Sequence, residues 1–264
     1  MLDAALRFLN SKHTEAKVGV IGDVALDRFV FGSVDRISPE APVPVLFQEK
    51  QVDKPGCAAN VAMNISSWSD HWPLKTELVS TVGPDRAATE LEQLFADHRK
   101  NLQLNFIEDP QKQTPLKIRF LAGSQHQLLR VDYETQFAPD GEIQSKFLER
   151  SLSLLSQSKA LLIQDYAKGL LSEEILQNLI CKSKNQKIPV VIDPHRNTNP
   201  DFYRGAFLIT PNVAEAEVLL GRKLDKGQNS RVIEKALVEL KEKFALETVL
   251  ILSLIHISEP TRRL

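Results

Sequence analysis

Five short apolar runs recur along the chain, each closing on a polar residue: VGVIGD (18–23), ALLIQD (160–165), IPVVID (188–193), FLIT (207–210) and TVLILS (248–253). Such runs are too short for buried helices and lack the alternation of half-exposed strands, so they read as strands covered on both faces. Helical segments lie between and around them at 58–68, 87–98, 143–156, 172–184, 214–221 and 231–244, several with apolar residues at three-four spacing. Strand alternating with helix predicts an α/β fold built on a doubly wound, mostly parallel sheet. Two stretches break the rhythm. Residues 28–52, and 114–133 with KIRFLAG and HQLLRVDY joined through Gly123 and Ser124, read as antiparallel strands or hairpins set apart from the main sheet.

A chain of 264 residues, 42% apolar and 25% charged, can bury a sizeable core. Its 33 basic and 34 acidic residues leave a formal net charge of -1, without a basic block. That balance argues against a nucleic-acid or anionic-membrane partner and for a small molecule. No apolar run approaches the ~20 residues of a membrane span. Cys57 and Cys181 show no metal-ligand spacing, and no export signal precedes them, so free thiols in the cytosol are expected.

Ligands of an open parallel sheet bind beyond the carboxyl ends of its strands. Here those ends carry Asp23, Asp165, Asp193 and the run Thr210, Pro211, Asn212, so four strands aim acids or amides at one rim. Any one of these is ordinarily a turn former or helix cap; their convergence is what points to a site. Asp23 and Asp27 flank a short turn, and ionised carboxylates are acceptor-only groups suited to pairs of hydroxyls. The run PGCAAN (55–60) then enters a helix, with Gly56 permitting close backbone approach and Asn60 able to point inward. Lys117, Arg119 and Arg130 alternate on the second irregular stretch, a solvated face or a grip for a phosphate. Asn212 and Glu215 form N-x-x-E at a helix start, which by itself serves as a cap.

The run GDVALDRFVFGSVDRISPEAPVPVLFQEKQVDKPGCAANVAMNI (22–65), with DYAKG (165–169), DPHR (193–196) and TPNVAEAE (210–217), resembles the PfkB/ribokinase family of sugar kinases. It is most similar to the branch that phosphorylates D-glycero-D-manno-heptose 7-phosphate. The resemblance implies a ribokinase-like fold, with 28–52 and 114–133 forming a small β lid that closes over the sugar and pairs with a second subunit's lid in a homodimer. It also implies sugar contacts from Asp23, Asp27, Gly56, Asn60, Asp165, Lys168 and Asp193, and a 7-phosphate clamp of Lys117, Arg119 and Arg130. Asn212, Glu215 and His195 would face the nucleotide phosphates, Asn212 and Glu215 organising Mg²⁺ indirectly. ATP would be the phosphoryl donor. The product would be the 1,7-bisphosphate used for ADP-heptose and lipopolysaccharide core synthesis; in some members a nucleotidyltransferase domain that makes the ADP-sugar is fused to the kinase.

The match departs from the family at three places. Cys57 stands where the family has a second glycine, and a Cβ penalises positive φ. His195 stands where DPKG has its lysine. The late G-x-G-D motif, whose aspartate is the family's base, is absent from the 264 residues. The resemblance runs from about Val18 to Leu252, giving a partial kinase domain over 1–252 that lacks late strands and helices, and the closing LIHISEPTRRL reads as a non-native tail (253–264). Inactivity of the chain as written follows from the missing base. The rival readings are another PfkB-type kinase, acting on a fructose phosphate or a nucleoside, and a non-catalytic sugar-phosphate-binding protein. The sequence contains no G-x-x-x-x-G-K-[ST], no G-x-G-x-x-G after a strand, no H-E-x-x-H and no G-x-S-x-G, which removes the common nucleotide-loop, dinucleotide, zinc-protease and α/β-hydrolase chemistries.

Overall fold

The structure is a computed structural model that describes residues 16–252 apart from 71, 99, 124–125, 135–137 and 225–229. Strand β1 (Ala16–Gly22) passes through Asp23 straight into β2 (Val24–Ile37), which returns as β3 (Pro44–Cys57) and delivers the chain without a loop to α1 (Ala58–Ser67). Next come β4 (Leu74–Val82), α2 (Arg86–Gln93) and β5 (Leu102–Glu108), then a hairpin of β6 (Leu116–Ala122) and β7 (His126–Tyr133). The remaining elements are α3 (Gly141–Gln157), β8 (Ala160–Gln164), α4 (Glu173–Gln186), β9 (Val190–Asp193), β10 (Leu208–Ile209), α5 (Val213–Leu220), α6 (Ser230–Lys243) and β11 (Thr248–Val249).

Seven strands form one sheet in the order β11-β10-β9-β8-β1-β4-β5, every pair parallel. Neighbouring residues on one strand point to opposite faces, and the core divides accordingly. Ile21, Val79, Leu161, Ile163 and Ile192 pack with Phe147, Leu155, Leu176 and Leu240 of the helices on one side. Val20, Leu78 and Leu102 pack with Ala58, Ala62, Leu91 and Phe95 on the other. Each buried Val, Leu, Ile or Phe side chain among them contributes about 1.5–3 kcal/mol. The α/β doubly wound expectation is thereby met.

Side-chain caps start the helices that the sequence places best: Asp140 accepts from Ile143 N and Ser172 from Ile175 N. The helix expected over 87–98 is shorter. It ends at Gln93 and a 3-10 turn follows at Ala96–His98, an arrangement that buries Phe95 completely. Strands β4 and β5 had no counterpart among the apolar runs, because β4 buries Thr76, Glu77, Ser80 and Thr81 alongside Leu78, Val79 and Val82. Polar letters taken up inside the protein hide a strand from a hydrophobicity count.

The two irregular stretches form a separate four-stranded sheet in the order β3-β2-β6-β7. Both hairpins are antiparallel, and β2 and β6 join them in parallel. The sheet is anchored at its base, where Arg28 of β2 holds Asp53 of β3 with two bonds (2.9 and 2.7 Å) and Glu90 of α2 with a third (2.7 Å). Ser124, expected in the β6–β7 turn, and residues 253–264, expected to be a non-native tail, lie outside the described residues. No helix among the described residues is long and apolar enough to cross a membrane.

Candidate functional site

The chain builds outward from β1 to β4 and β5 on one side and to β8, β9, β10 and β11 on the other, so its direction reverses between β1 and β8. A crevice opens beyond the carboxyl ends of the strands at such a reversal. Asp23 follows β1 and Asp165 follows β8; Asp193 ends β9 and Asn212 follows β10. The four polar rim positions read from the sequence therefore sit on four adjacent strands.

Asp23 lies where the two sheets separate. Its backbone carbonyl accepts from Ala58 N at 2.9 Å, tying the exit of β1 to the start of α1. The side chain is only 2% exposed, and neither carboxylate oxygen has a hydrogen-bond partner among the described residues. Burial drives its pKa above the ordinary carboxylate value; the nearby Lys112 ammonium opposes this, Asp165 adds to it, and Lys168 opposes it. Lys112 Nζ stands 3.8 Å from Asp23 Oδ1 and donates to Thr81 Oγ1 at 2.6 Å.

Asp27 is placed differently. Its Oδ1 accepts from Arg119 at 2.6 Å, and the guanidinium of Arg119 lies over the Phe29 ring. A Cβ on Gly56 would meet Asp27 Oδ2 at 2.7 Å, so any other residue there would push that carboxylate out of place. Cys57 adopts φ 57 and ψ -135, territory that favours glycine, and caps α1 without any side-chain bond. The thiol is pushed up to about 11, first by burial and secondarily by Asp23 and Asp27, against Lys117. Cys57→Gly is expected to stabilise the protein by about 1 kcal/mol by releasing that strain. A urea midpoint that fell instead would show that thiol packing outweighs the backbone term. Asn60, expected to turn inward, is exposed on the first turn of α1.

Strand register gathers the cations. Arg119 of β6 lies directly opposite Arg130 of β7, and Lys117 is in register with Asp27 of β2. They share one face of the four-stranded sheet with Lys54, which is opposite Asp27 on β3 and stacks over Phe29. Their charges are not equally available. Arg119 is paired with Asp27, and Arg130 holds Asp132 through both a Nε and a guanidinium N–H bond. Among the described residues Lys117 has no carboxylate in bonding range; its Nζ lies 3.8 Å from Cys57 Sγ and over the Tyr166 ring.

The loop after β8 faces this sheet. Lys168 donates to Glu134, just beyond β7, at 2.7 Å. Asp165 is fully engaged within the protein: Oδ2 accepts from Tyr203 OH (2.6 Å) and Thr198 Oγ1 (2.8 Å), and Oδ1 from Ala167 N (2.7 Å). Asp193 accepts from Gln164 and from Thr210 Oγ1. His195 accepts from Asn197 N through Nδ1, while its own N–H goes to Tyr203 OH. Asn212 and Glu215 form a reciprocal capping box on α5, Asn212 Oδ1 with Glu215 N at 3.0 Å and Glu215 Oε2 with Asn212 N at 2.9 Å. Burial raises the Glu215 pKa, the Asn212 N–H bond opposing it and Asp193 adding to it.

These residues do not make a magnesium cage. Asn212 and Glu215 spend their capping atoms on each other, and no group of three or more His, Cys, Asp or Glu among the described residues could hold a metal ion.

The family model described as pfkB family carbohydrate kinase matches residues 16–253, nearly the whole chain. This protein belongs to the pfkB family of carbohydrate kinases. Among its relatives is the Bifunctional protein HldE of Vibrio vulnificus, 39% identical over 239 residues, which cover 90% of this chain and 47% of that protein. The Bifunctional protein HldE of Cronobacter sakazakii is 42% identical over 207 residues, 78% of this chain and 41% of its own. The chain thus spans about half the length of the curated relatives it matches or less. In fold it is similar to phosphofructokinase-2 from Escherichia coli (TM-score 0.69, 19% identity, 89% of this chain and 73% of that one). It is also similar to Arabidopsis thaliana ribokinase complexed with ribose and ATP (TM-score 0.61, 14% identity, 91% and 72%).

Within this pfkB chain, sequence reading missed four residues at the site. Tyr203 is buried beneath the rim and organises Asp165 and the turn at His195. Tyr166 lies inside the DYAKG run and received no role, although an aromatic ring beside a lysine was available as a cation–π partner. Lys54 was legible only once the β2–β3 register put it opposite Asp27. Lys112 sits in a turn with no motif, and nothing in its surroundings in the sequence marks it.

Proposed function

We propose that this chain carries the sugar-binding part of an ATP-dependent kinase acting on D-glycero-D-manno-heptose 7-phosphate at its anomeric hydroxyl. The observation that carries the reading is the buried carboxylate of Asp23, short of hydrogen-bond partners among the described residues, at the reversal point of the sheet, beside a sheet face bearing Lys54, Lys117, Arg119 and Arg130. An ionised carboxylate held out of water is a demanding acceptor, and a polyhydroxylated ligand supplies O–H donors in pairs. Cations on the lid answer a phosphate at the far end of the same sugar. The resemblance of 22–65 to the heptose 7-phosphate branch supports this choice of sugar, and the bifunctional relatives fit the fused organisation known in that branch.

Asp23 takes sugar hydroxyls, and Asp27 joins it when Arg119 turns toward the phosphate. Lys117, which has no carboxylate to leave among the described residues, is the readiest phosphate ligand. Asp165 and Asp193 act as the frame, holding the loops from which Lys168 and His195 project. ATP would supply the phosphoryl group, and Mg²⁺, organised indirectly from Asn212 and Glu215, would supply neutralisation of the developing charge. The protein's own part, on the described residues, is to bind and orient the acceptor. With no G-x-G-D among the 264 residues, this chain is expected to bind the sugar phosphate without turning it over. The four-stranded sheet exposes Ile37, Phe47, Leu129 and Tyr133, which supports a homodimer formed through the lid. A reducing, cytoplasmic setting suits the free thiols of Cys57 and Cys181.

Isothermal titration of the 264-residue protein with the heptose 7-phosphate, the unphosphorylated heptose and fructose 6-phosphate tests the reading. The heptose 7-phosphate should bind tightest. Lys117→Ala should weaken it about tenfold or more while leaving the unphosphorylated sugar unaffected. Equal affinity for the two heptoses would remove the phosphate from the assignment, and tighter binding of fructose 6-phosphate would move it to another sugar phosphate.

A further inference from the structure

Lys112 is the cation nearest Asp23, and it reaches that carboxylate from outside every motif of the chain. It lies in the turn after β5, where its backbone N–H is held by Asp109 O at 3.0 Å. Its carbonyl packs so close to Gly83 that a Cβ there would come within 2.1 Å of it. The turn is fixed further by Thr114, whose Oγ1 accepts from Gly83 N at 2.8 Å and whose N–H goes to the α2 cap Asp85 at 2.7 Å. The ammonium is directed inward, 3.8 Å from Asp23 Oδ1 and 2.6 Å from Thr81 Oγ1, and the side chain is 10% exposed.

Two opposite charges are thus buried side by side with little else to satisfy them. Around Asp23 the other charged or titratable groups are Asp165 and Lys168 from the loop after β8 and Cys57 at the end of β3; around Lys112 they are Asp109 and Cys57. The Lys168 ammonium is committed to Glu134, leaving only its backbone N–H to approach Asp23, and Asp165 has both oxygens engaged. Removing one partner from a buried pair leaves an uncompensated charge, which the protein avoids by protonating the carboxylate. A protonated Asp23 would donate one hydrogen bond and lose much of its value as a hydroxyl acceptor.

We propose that Lys112 is a positioning residue for the sugar site: it holds Asp23 in the ionised form and so sets the lower pH limit of sugar binding. The inference rests on the reading of Asp23 as the hydroxyl acceptor. Burial raises the folded pKa of Asp23 and Lys112 restrains that rise, so loss of Lys112 moves the titration upward and sugar binding should fail at a higher pH than in the wild type.

Carbon-13 NMR of the aspartate carboxyl groups, with Asp23 assigned by Asp23→Asn, tests the pair without any ligand. The Asp23 midpoint should move to higher pH in Lys112→Met and return toward the wild-type value in Lys112→Arg. An unchanged midpoint in Lys112→Met overturns the proposal. Should Lys112→Met fail to fold, the Asp23→Asn/Lys112→Met double variant should recover the fold; failure to recover would show that Lys112 only packs, and would equally overturn it. Titration with the heptose 7-phosphate then gives the second arm, where Lys112→Met should lose about tenfold or more in affinity at pH 7 and regain part of it at higher pH. A shifted Asp23 midpoint with no sugar binding in any variant would sink the sugar assignment while leaving the charge pair established.

Discussion

Replacing Asp23 by asparagine is expected to lower affinity for the heptose 7-phosphate by about a hundredfold while leaving the fold intact. A hydrogen bond to a charged acceptor contributes about 1.5–3 kcal/mol, so losing the charge and one acceptor oxygen together costs on the order of 3 kcal/mol of binding. The stability expectation has the opposite sense. The folded pKa of Asp23 lies above its unfolded value, chiefly through burial. The group therefore favours the native state most below the unfolded carboxylate range, and that contribution is lost as pH rises through the raised folded pKa. At neutral pH, with Lys112 holding it ionised, Asp23 is a destabilising presence kept at a site where a ligand can use it. An amide removes that penalty. Lys112, whose ammonium is itself disfavoured by burial, can release its proton and keep its contact with Thr81. The urea midpoint at pH 7 should thus be unchanged or higher, and stability should lose part of its decline with rising pH. Affinity within threefold of wild type would remove Asp23 from the site; a collapsed midpoint would make it a structural residue.

The contrast between Asp23 and Asp165 shows where sequence reading stops. Both close an apolar strand, and both reach the rim. What separates them is long-range: Tyr203 and Thr198, 38 and 33 residues away, fill the acceptor positions of Asp165, while among the described residues only the Lys168 backbone N–H approaches Asp23, without a well-formed hydrogen bond. The parallel sheet was legible because its strands are buried on both faces and announce themselves as apolar runs. The four-stranded sheet was legible as two hairpins but not in its joining, since the β2–β6 pairing is parallel and connects residues about 90 positions apart. β4 escaped because its polar residues are used internally, Ser80 donating to Gly22 O, Thr81 accepting from Lys112 and Glu77 pairing with Lys17. The glycine-like turn at Cys57 was anticipated as a conflict between side chain and backbone, and the chain resolves it by accepting the positive φ.

Asp165→Ala is expected to be the most destabilising single substitution at the rim, costing about 3–5 kcal/mol, because it strips three donors of their acceptor at once. Tyr203 OH is buried and donates to Asp165 at 2.6 Å, so it carries the largest share. Burial first and then the Asp165 carboxylate raise the Tyr203 pKa, against Thr198 and the His195 N–H, so the phenol stays a donor and cannot escape by ionising. Asp165→Asn keeps the volume and one acceptor oxygen and should cost about 1–3 kcal/mol; Tyr203→Phe, which leaves Asp165 with two of its three bonds, should cost about 1–2 kcal/mol. Tyr203 also receives the His195 N–H, so losing Asp165 frees the turn that presents His195 to the rim. Sugar affinity at temperatures where the variant is folded should fall less than in Asp23→Asn, since Asp165 shapes the floor rather than touching the ligand. Urea melts and titration calorimetry on the same preparations decide the matter: a lost affinity at an unchanged midpoint would place Asp165 on the lining of the site instead of in its frame.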